Sequence, residues 1–284
     1  MSGPSFGNRL GAAFGSYGQL CLGIDPHAQL LTQWGLPDSA AGMREFGLRV
    51  VGAASGRVGI VKPQVAFFER HGAAGYLALE TVIAAARAAD LLVIADAKRG
   101  DVGLSVQAYG EAWLTPGSPL ESDAMTVSPF LGVASNGAVF ELADQSKKGV
   151  FVLAGTSNPE AYGLQAARVG AGAETALTLA AAIIDEVELL NPAGEELGSI
   201  GVVLGATLKL EEFGIQFSEH DRAPILAPGF GAQGARLRDA AKIFGLAAPR
   251  VVATVSRSVL AAGPTGIAHA LESSAAELAL AVSG

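Results

Sequence analysis

A single cysteine in 284 residues, Cys21, excludes any internal disulfide. It sits in an apolar run, QLCLGID, and reads as a buried thiol in a reduced, cytoplasmic protein. Long hydrophobic stretches are missing too. Half of the residues are apolar and mean hydropathy is +0.38, yet no run of ~18 apolar residues goes uninterrupted, which argues against a membrane span. The opening MSGPSFGNRL has no basic segment followed by an apolar one, so a secretory leader is not expected. Positive charge is scarce, with 19 Lys and Arg against 27 Asp and Glu. Without a basic stripe, nucleic acid is disfavoured as a partner. A small anionic ligand stays open, because a few cations in a cleft can outweigh a diffuse acidic surface.

No repeat, low-complexity tract or linker divides the chain, so residues 1–284 read as one domain with a short helical segment ahead of the first strand. Eight short apolar runs punctuate it, at 19–25, 57–63, 91–98, 123–129, 149–156, 199–207, 223–229 and 250–256. Helix-like, alanine-rich segments lie between and after them, at 38–55, 71–89, 103–114, 132–147, 161–190, 208–218, 234–245 and 265–282. Strict alternation implies parallel strands covered on both faces. Eight such units make an α/β chain of the (β/α)8 TIM-barrel type, favoured over an open doubly wound sheet because no topological switch is visible.

In such a barrel the chemistry lies at the C-terminal strand ends. Those ends carry Asp25, Lys62, Asp96, Lys98, Asp101, Ser128, Thr156, Ser157, Thr207, Gly229, Gly231 and Arg257. The third run, LLVIADAKRGDVG (91–103), drives an apolar strand into two acids and a lysine. Alternation puts Leu92, Ile94, Asp96 and Lys98 on one face, with Arg99 facing the other way. Gly100 is expected to let the chain turn sharply. Opposite unit charges at ~4 Å attract by about 4 kcal/mol at an effective dielectric of ~20, so an Asp-Lys-Asp row should hold Lys98 protonated. A solvated salt-bridge cluster is the plainer alternative.

DAKRGD followed by VGLSVQAYG resembles the D-x-K-x-x-D signature of the orotidine 5'-phosphate decarboxylase family, in its longer, mycobacterial-type branch. CLGIDP, VKPQVAFFE, LAGTSNPEAYG, GVVLGAT, LAPGFGAQGA and SRS extend the likeness along the chain in order. The resemblance implies a cofactor-free, metal-free conversion of orotidine 5'-phosphate to UMP. It implies a charged network of Lys62, Asp96, Lys98 and Asp101, with Lys98 protonating C6 once CO2 has left. It implies a homodimer, Asp101 completing the partner's site, and no role for nucleic acid or membrane. Asp25 would bind ribose hydroxyls and Ser157 the amide edge of the pyrimidine; a helix cap and a turn residue are their plainer readings.

GFGAQG (229–234) fits a dinucleotide fingerprint formally, but Arg257 rather than an acid follows the next strand. Gly229, Gly231, Gln233 and Arg257 are therefore read as a site for the 5'-phosphate. The chain also departs from the family pattern. Phe230 leaves no tyrosine over the phosphate, and Leu104 makes Ser105 an open question as a cross-subunit contact. Segment 187–198 reads as an acidic surface turn without a function. One rival is a metal-dependent sugar-phosphate decarboxylase or aldolase of the same superfamily, which needs a further acid near strand 2, where Lys62 stands and Glu69 lies well beyond. A non-catalytic nucleotide-phosphate-binding barrel is the other.

Overall fold

The structure is a computed structural model describing residues 3–170, 176–194 and 196–282. Eight strands, Leu20–Ile24 (β1), Ile60–Pro63 (β2), Leu92–Arg99 (β3), Ala124–Val127 (β4), Gly149–Gly155 (β5), Ile200–Leu204 (β6), Ile225–Ala227 (β7) and Val251–Val255 (β8), close a barrel in sequential order. Every neighbouring pair is parallel, including β8 with β1. The strand pleat divides the apolar residues between two cores. Cys21, Ile60, Ile94, Ala124, Phe151, Val203, Leu226 and Val252 fill the interior. Leu22, Val61, Val93, Met125, Val152 and Val202 face the surrounding helices.

Those helices include Ala40–Ala54, Gly72–Ala88, Gly103–Leu114, Gly137–Ser146, Leu179–Glu188 and Gly263–Val282. Two carry hydroxyl caps: the Ser39 Oγ accepts from Gly42 N at 3.2 Å and the Thr178 Oγ1 from Ala181 N at 3.1 Å. Three helical expectations fail. The 161–190 segment contains the one-turn helix Tyr162–Gln165, a short antiparallel pairing of Arg168–Val169 with Leu177–Thr178, and only then the helix Leu179–Glu188. Gly170, at φ 116°, ends the first strand of that pair in a conformation no helix continues. Residues 171–175 of that expectation lie outside the described part. Segment 208–218 holds one 3₁₀ turn, Leu210–Phe213, which suffices to bury Phe213 and Ile215 on the barrel wall. Segment 234–245 is likewise reduced to Leu237–Asp239 and Ala240–Phe244. Alanine content signalled helix in 161–190 and 234–245, the place between two strands did so in 208–218, and the short connections overrode both signals.

The N-terminal helix Phe6–Tyr17 closes the bottom of the barrel. Phe6 is fully buried and meets the Phe151 ring edge-on at 6.0 Å. Gly149 makes room for it, since a Cβ there would lie 2.3 Å from the Phe6 ring. Arg9 fastens the helix by pairing with Asp123 and donating to the Lys147 carbonyl at 2.9 Å. The 187–198 segment belongs to this floor rather than being only a surface turn. Leu197 joins the interior core, and the Asn191 amide donates to the Ile200 carbonyl at 2.8 Å and accepts from Ile200 N at 3.1 Å. Glu195 lies outside the described residues. Truncating a buried aromatic costs about 3–5 kcal/mol. Phe6→Ala should therefore lower the free energy of urea unfolding by that amount, and a loss within ~0.5 kcal/mol would mean that Phe6 is not part of the core.

Candidate active site

β3 is irregular where it carries charge. Its pairing with β4 shifts register between Ala95 and Arg99, and Lys98 takes a left-handed backbone, φ 50°. Such a conformation is uncommon for a residue with a side chain and persists only where its surroundings hold it. Here the Thr126 hydroxyl accepts from Lys98 N at 2.8 Å and donates to Asp96 Oδ1 at 3.0 Å. The left-handed backbone falls at Lys98 and at Gly103 (φ 58°), on either side of the turn that holds Gly100. Gly100 is needed for a different reason: a Cβ there would lie 2.7 Å from the Ser128 carbonyl oxygen.

Asp96 and Lys98 nonetheless both reach the barrel mouth, where they line a cavity of about 310 Å³ together with Asp25, Lys62, Gln64, Ser157, Gly229, Phe230, Gln233, Thr254, Ser256 and Arg257. The Asp96 carboxylate is the hub. Lys62 Nζ donates to Oδ2 at 2.9 Å and Lys98 Nζ to Oδ1 at 2.6 Å. Gln64 follows β2 and bridges to Asp96. One amide orientation satisfies all its neighbours: the nitrogen donates to Asp96 Oδ2 at 2.8 Å and to the Asp96 carbonyl at 2.9 Å, and the oxygen accepts from Lys98 Nζ at 3.3 Å.

Burial works against the Asp96 charge, but Lys62 and Lys98 overcome it and hold the carboxyl well below its ordinary range. Burial likewise opposes the Lys62 charge, yet Asp96 and Asp25 push that amine above the usual lysine value. Lys98 goes the other way. Burial lowers it, Asp96 offsets only part of this, and Lys62 adds repulsion. Within one subunit, of the two acids of the motif only Asp96 stands beside Lys98. Asp101 does not line its own cavity; its carboxylate turns back to accept from Val102 N at 2.8 Å. Beneath the site, burial pushes the Cys21 thiol up to about 12 and keeps it neutral.

Asp25 is not a helix cap, because His27 caps Ala28–Gln33. Its Oδ1 is buried with no partner among the described residues, as are the Thr254 and Ser256 hydroxyl oxygens in the same cavity. Buried polar atoms without partners are rare, and three facing one cavity mark a place for ligand hydroxyls. On the opposite rim, Ser157 donates to Gln233 Oε1 at 3.2 Å. Gly229 and Gly231 adopt φ 116° and 75°, left-handed conformations that suit glycine, and the Gly231 N–H donates to the Ala235 carbonyl at 2.8 Å, which closes the loop on itself. Arg257 is exposed and its guanidinium has no hydrogen bond or ion pair among the described residues. Arg99 faces away, as alternation predicts, pairing with Glu69 at 2.8 Å and with the Tyr76 hydroxyl at 3.2 Å. Thr207 and Ser128 lie outside the cavity, and Ser105 and Leu104 are exposed on the helix after β3. A wider groove of about 950 Å³ shares only Gln233 with the site and gathers no comparable set of converging charges.

Sequence reading missed Gln64, Thr126 and Ser256. Gln64 stood inside VKPQVAFFE, two residues after Lys62, and that spacing on one strand face was the available signal. Thr126 could be found only from its partners on the adjacent strand β3.

A closed parallel barrel with an acid-and-lysine cluster at the C-terminal strand ends belongs to the class of (β/α)8 barrel enzymes. Residues 18–270 match the family described as orotidine 5'-phosphate decarboxylase / HUMPS, and the chain belongs to it. It is 49% identical over 268 residues to the orotidine 5'-phosphate decarboxylase of Salinispora tropica, covering 93% of this chain and 92% of that one. It is 47% identical over 282 residues to the one of Streptomyces coelicolor, covering 98% of each. A crystal structure from Streptomyces avermitilis, described as a candidate orotidine 5'-phosphate decarboxylase, superimposes with a TM-score of 0.94 at 46% identity, covering 100% of this chain and 98% of that one. The Leishmania donovani OMP decarboxylase does so at 0.77 and 28% identity, covering 99% and 100%.

A carboxyl depressed by folding stabilises above its unfolded value and loses that contribution as the pH falls toward its folded one. The unfolding free-energy gap between wild type and Asp96→Asn should be flat between about pH 5 and 7 and change only below the ordinary value of 3.8, moving against the wild type. A gap that stays constant in acid would contradict the ion-pair assignment.

Proposed function

We propose that the chain decarboxylates orotidine 5'-phosphate to UMP. The observation that carries this reading is the buried Asp96 carboxylate holding Lys98 and Lys62 at a barrel mouth, read with the family to which the chain belongs. The reaction breaks the bond between C6 of the pyrimidine and its carboxylate. The electron pair stays on C6, in an sp² orbital no neighbouring carbonyl can delocalise, and CO2 departs. A fixed ammonium stabilises that charge and is an acid in place to quench it. Lys98 transfers one proton to C6, and the neutral amine is reprotonated from solvent, so one proton is consumed for each CO2 released. A lysine lowered from its ordinary value gives up that proton more readily, which fits the direction found for Lys98.

In this reading Asp25 accepts from the ribose hydroxyls, with Lys62 alongside. Ser157 contacts the amide edge of the base, and Gly229, Gly231, Gln233 and Arg257 hold the 5'-phosphate. Binding at that remote phosphate helps drive the reacting end into place. The whole chain, 1–284, acts as one barrel unit in the cytoplasm, with no cofactor. Asp101 enters the site of a second copy, which supplies the missing acid beside Lys98 and places a negative charge near the departing carboxylate. In support, Val102, Leu104, Phe130 and Leu131 are exposed apolar residues clustered after β3 and β4, the kind of surface that pairing of two copies would cover. The metal-dependent alternative gains no support. Lys62 occupies the strand-2 end, and Glu69 is committed to Arg99 and Tyr76 outside the cavity.

Loss of orotidine 5'-phosphate absorbance, followed with EDTA throughout, tests the reading. Wild type should form UMP, and Lys98→Ala should be inactive while still binding UMP. Activity only on a sugar phosphate with magnesium restored would refute the assignment. Arg257→Ala should raise KM roughly 10–100-fold, the loss of one charge-assisted phosphate contact. Mixing the inactive Lys98→Ala and Asp101→Ala proteins should restore up to about a quarter of wild-type activity, because half the dimers then carry one intact site. No recovery on subunit exchange would remove the shared-site arrangement.

A further inference from the structure

We propose that Gln64 is a positioning residue that aims the transferable proton of Lys98 at the reacting carbon; this rests on the decarboxylase reading above. An ammonium has three N–H donors and no acceptor. At Lys98 one points to Asp96 Oδ1 at 2.6 Å and a second to the Gln64 amide oxygen at 3.3 Å. Two fixed directions leave the third, so the side chain presents a single free N–H, and the space left to it is the cavity that Asp25, Ser157 and Arg257 also line. Without Gln64 the ammonium keeps one anchor and rotates about it. Lys98 is the least buried of the three charged groups at the hub, its side chain 44% exposed against 7% for Lys62 and 11% for Asp96. It therefore has the most freedom to lose.

Gln64 is itself held rigidly. Its backbone N donates to the Ile24 carbonyl at 3.1 Å, tying it to the end of β1. Its amide nitrogen is anchored by both the carboxylate and the carbonyl of Asp96. The amide thus spans the acid and the base of one ion pair, donating to the first and accepting from the second. Glutamine is suited to this: a carboxylate there would face Asp96, and a lysine would face Lys98. The charged groups that face Lys98 are Asp96, Lys62 and Asp25, with Asp101 proposed to arrive from a second copy. Gln64 adds an acceptor without a charge to that set.

The test compares wild type, Gln64→Met and Gln64→Glu by kcat, KM and the pH dependence of kcat. Methionine keeps the length and removes all three amide hydrogen bonds. It should lower kcat roughly 10–100-fold, the scale set by misplacing one reacting group, with KM for orotidine 5'-phosphate within about 3-fold because the side chain does not hold substrate. Activity needs Lys98 protonated, so losing an acceptor on the ammonium moves the alkaline limb of kcat to lower pH. Glutamate restores an acceptor and adds negative charge, which moves that limb to higher pH than in Gln64→Met. A merely structural role would lower activity in both variants without separating their alkaline limbs. If wild type is active and both variants keep its kcat and its alkaline limb, Gln64 does not position Lys98. If wild type itself leaves orotidine 5'-phosphate untouched, the decarboxylase reading falls and this inference with it.

Discussion

One carboxylate sets the arrangement of the site. Asp96 is buried at the barrel mouth, where an isolated charge would be far too costly, and its four close donors are what allow it to stay ionised. Each donor arrives from a different place: Lys62 from β2, Gln64 just beyond it, Thr126 from β4, and Lys98 from two residues further along the same strand. The price of that convergence is the kink in β3, with its shifted register and the left-handed backbone at Lys98. Thr126 stabilises the kink by bonding both the Lys98 amide and the Asp96 carboxylate.

The barrel divides its labour between its two ends. At the bottom, ionic groups are used for closure. Arg9 meets Asp123, and Lys148 and Arg87 both reach Glu121 Oε1, at 2.9 and 2.8 Å. Each of those charges is satisfied within the chain. At the top, Asp25, Thr254 and Ser256 keep buried oxygens without partners, and Arg257 carries a charge that no acid neutralises among the described residues. A fold that pairs its charges at one end and leaves polar groups unanswered at the other has room for a polar ligand at the second end. That asymmetry, rather than the number of charges, distinguishes the site from a structural cluster.

The barrel was legible because a period of two within eight apolar runs and their alternation with helical segments are chain-local signals. The faces of β3 came out as alternation predicts: Ile94 points inward, and Val93 and Ala95 outward. What alternation could not supply was distance. Gln64 and Thr126 reach Asp96 from the two neighbouring strands, and only the Gln64 spacing from Lys62 left a trace in the sequence. Lys98 was read as flanked by two acids because Asp101 follows it by only three positions in sequence. In the fold, the turn after β3 carries Asp101 out of the cavity and leaves Lys98 lowered rather than raised. The helices expected at 161–190 and 234–245 were misread from alanine content, which reports propensity and not the space available between strands, and the one at 208–218, which holds no alanine, from its place between two strands.

The central claim is that Asp96 stays ionised under two lysines throughout the working pH range. Carbon-13 NMR of protein labelled at aspartate carboxyls, with Asp96→Asn used to assign the resonance, addresses it directly. The Asp96 signal should hold the chemical shift of a carboxylate from neutral pH down to about pH 3, below the point where ordinary aspartates titrate. A resonance that titrates at or above the usual carboxyl value of 3.8 would contradict the account, because the hub would then be a neutral acid and neither lysine would be held by it.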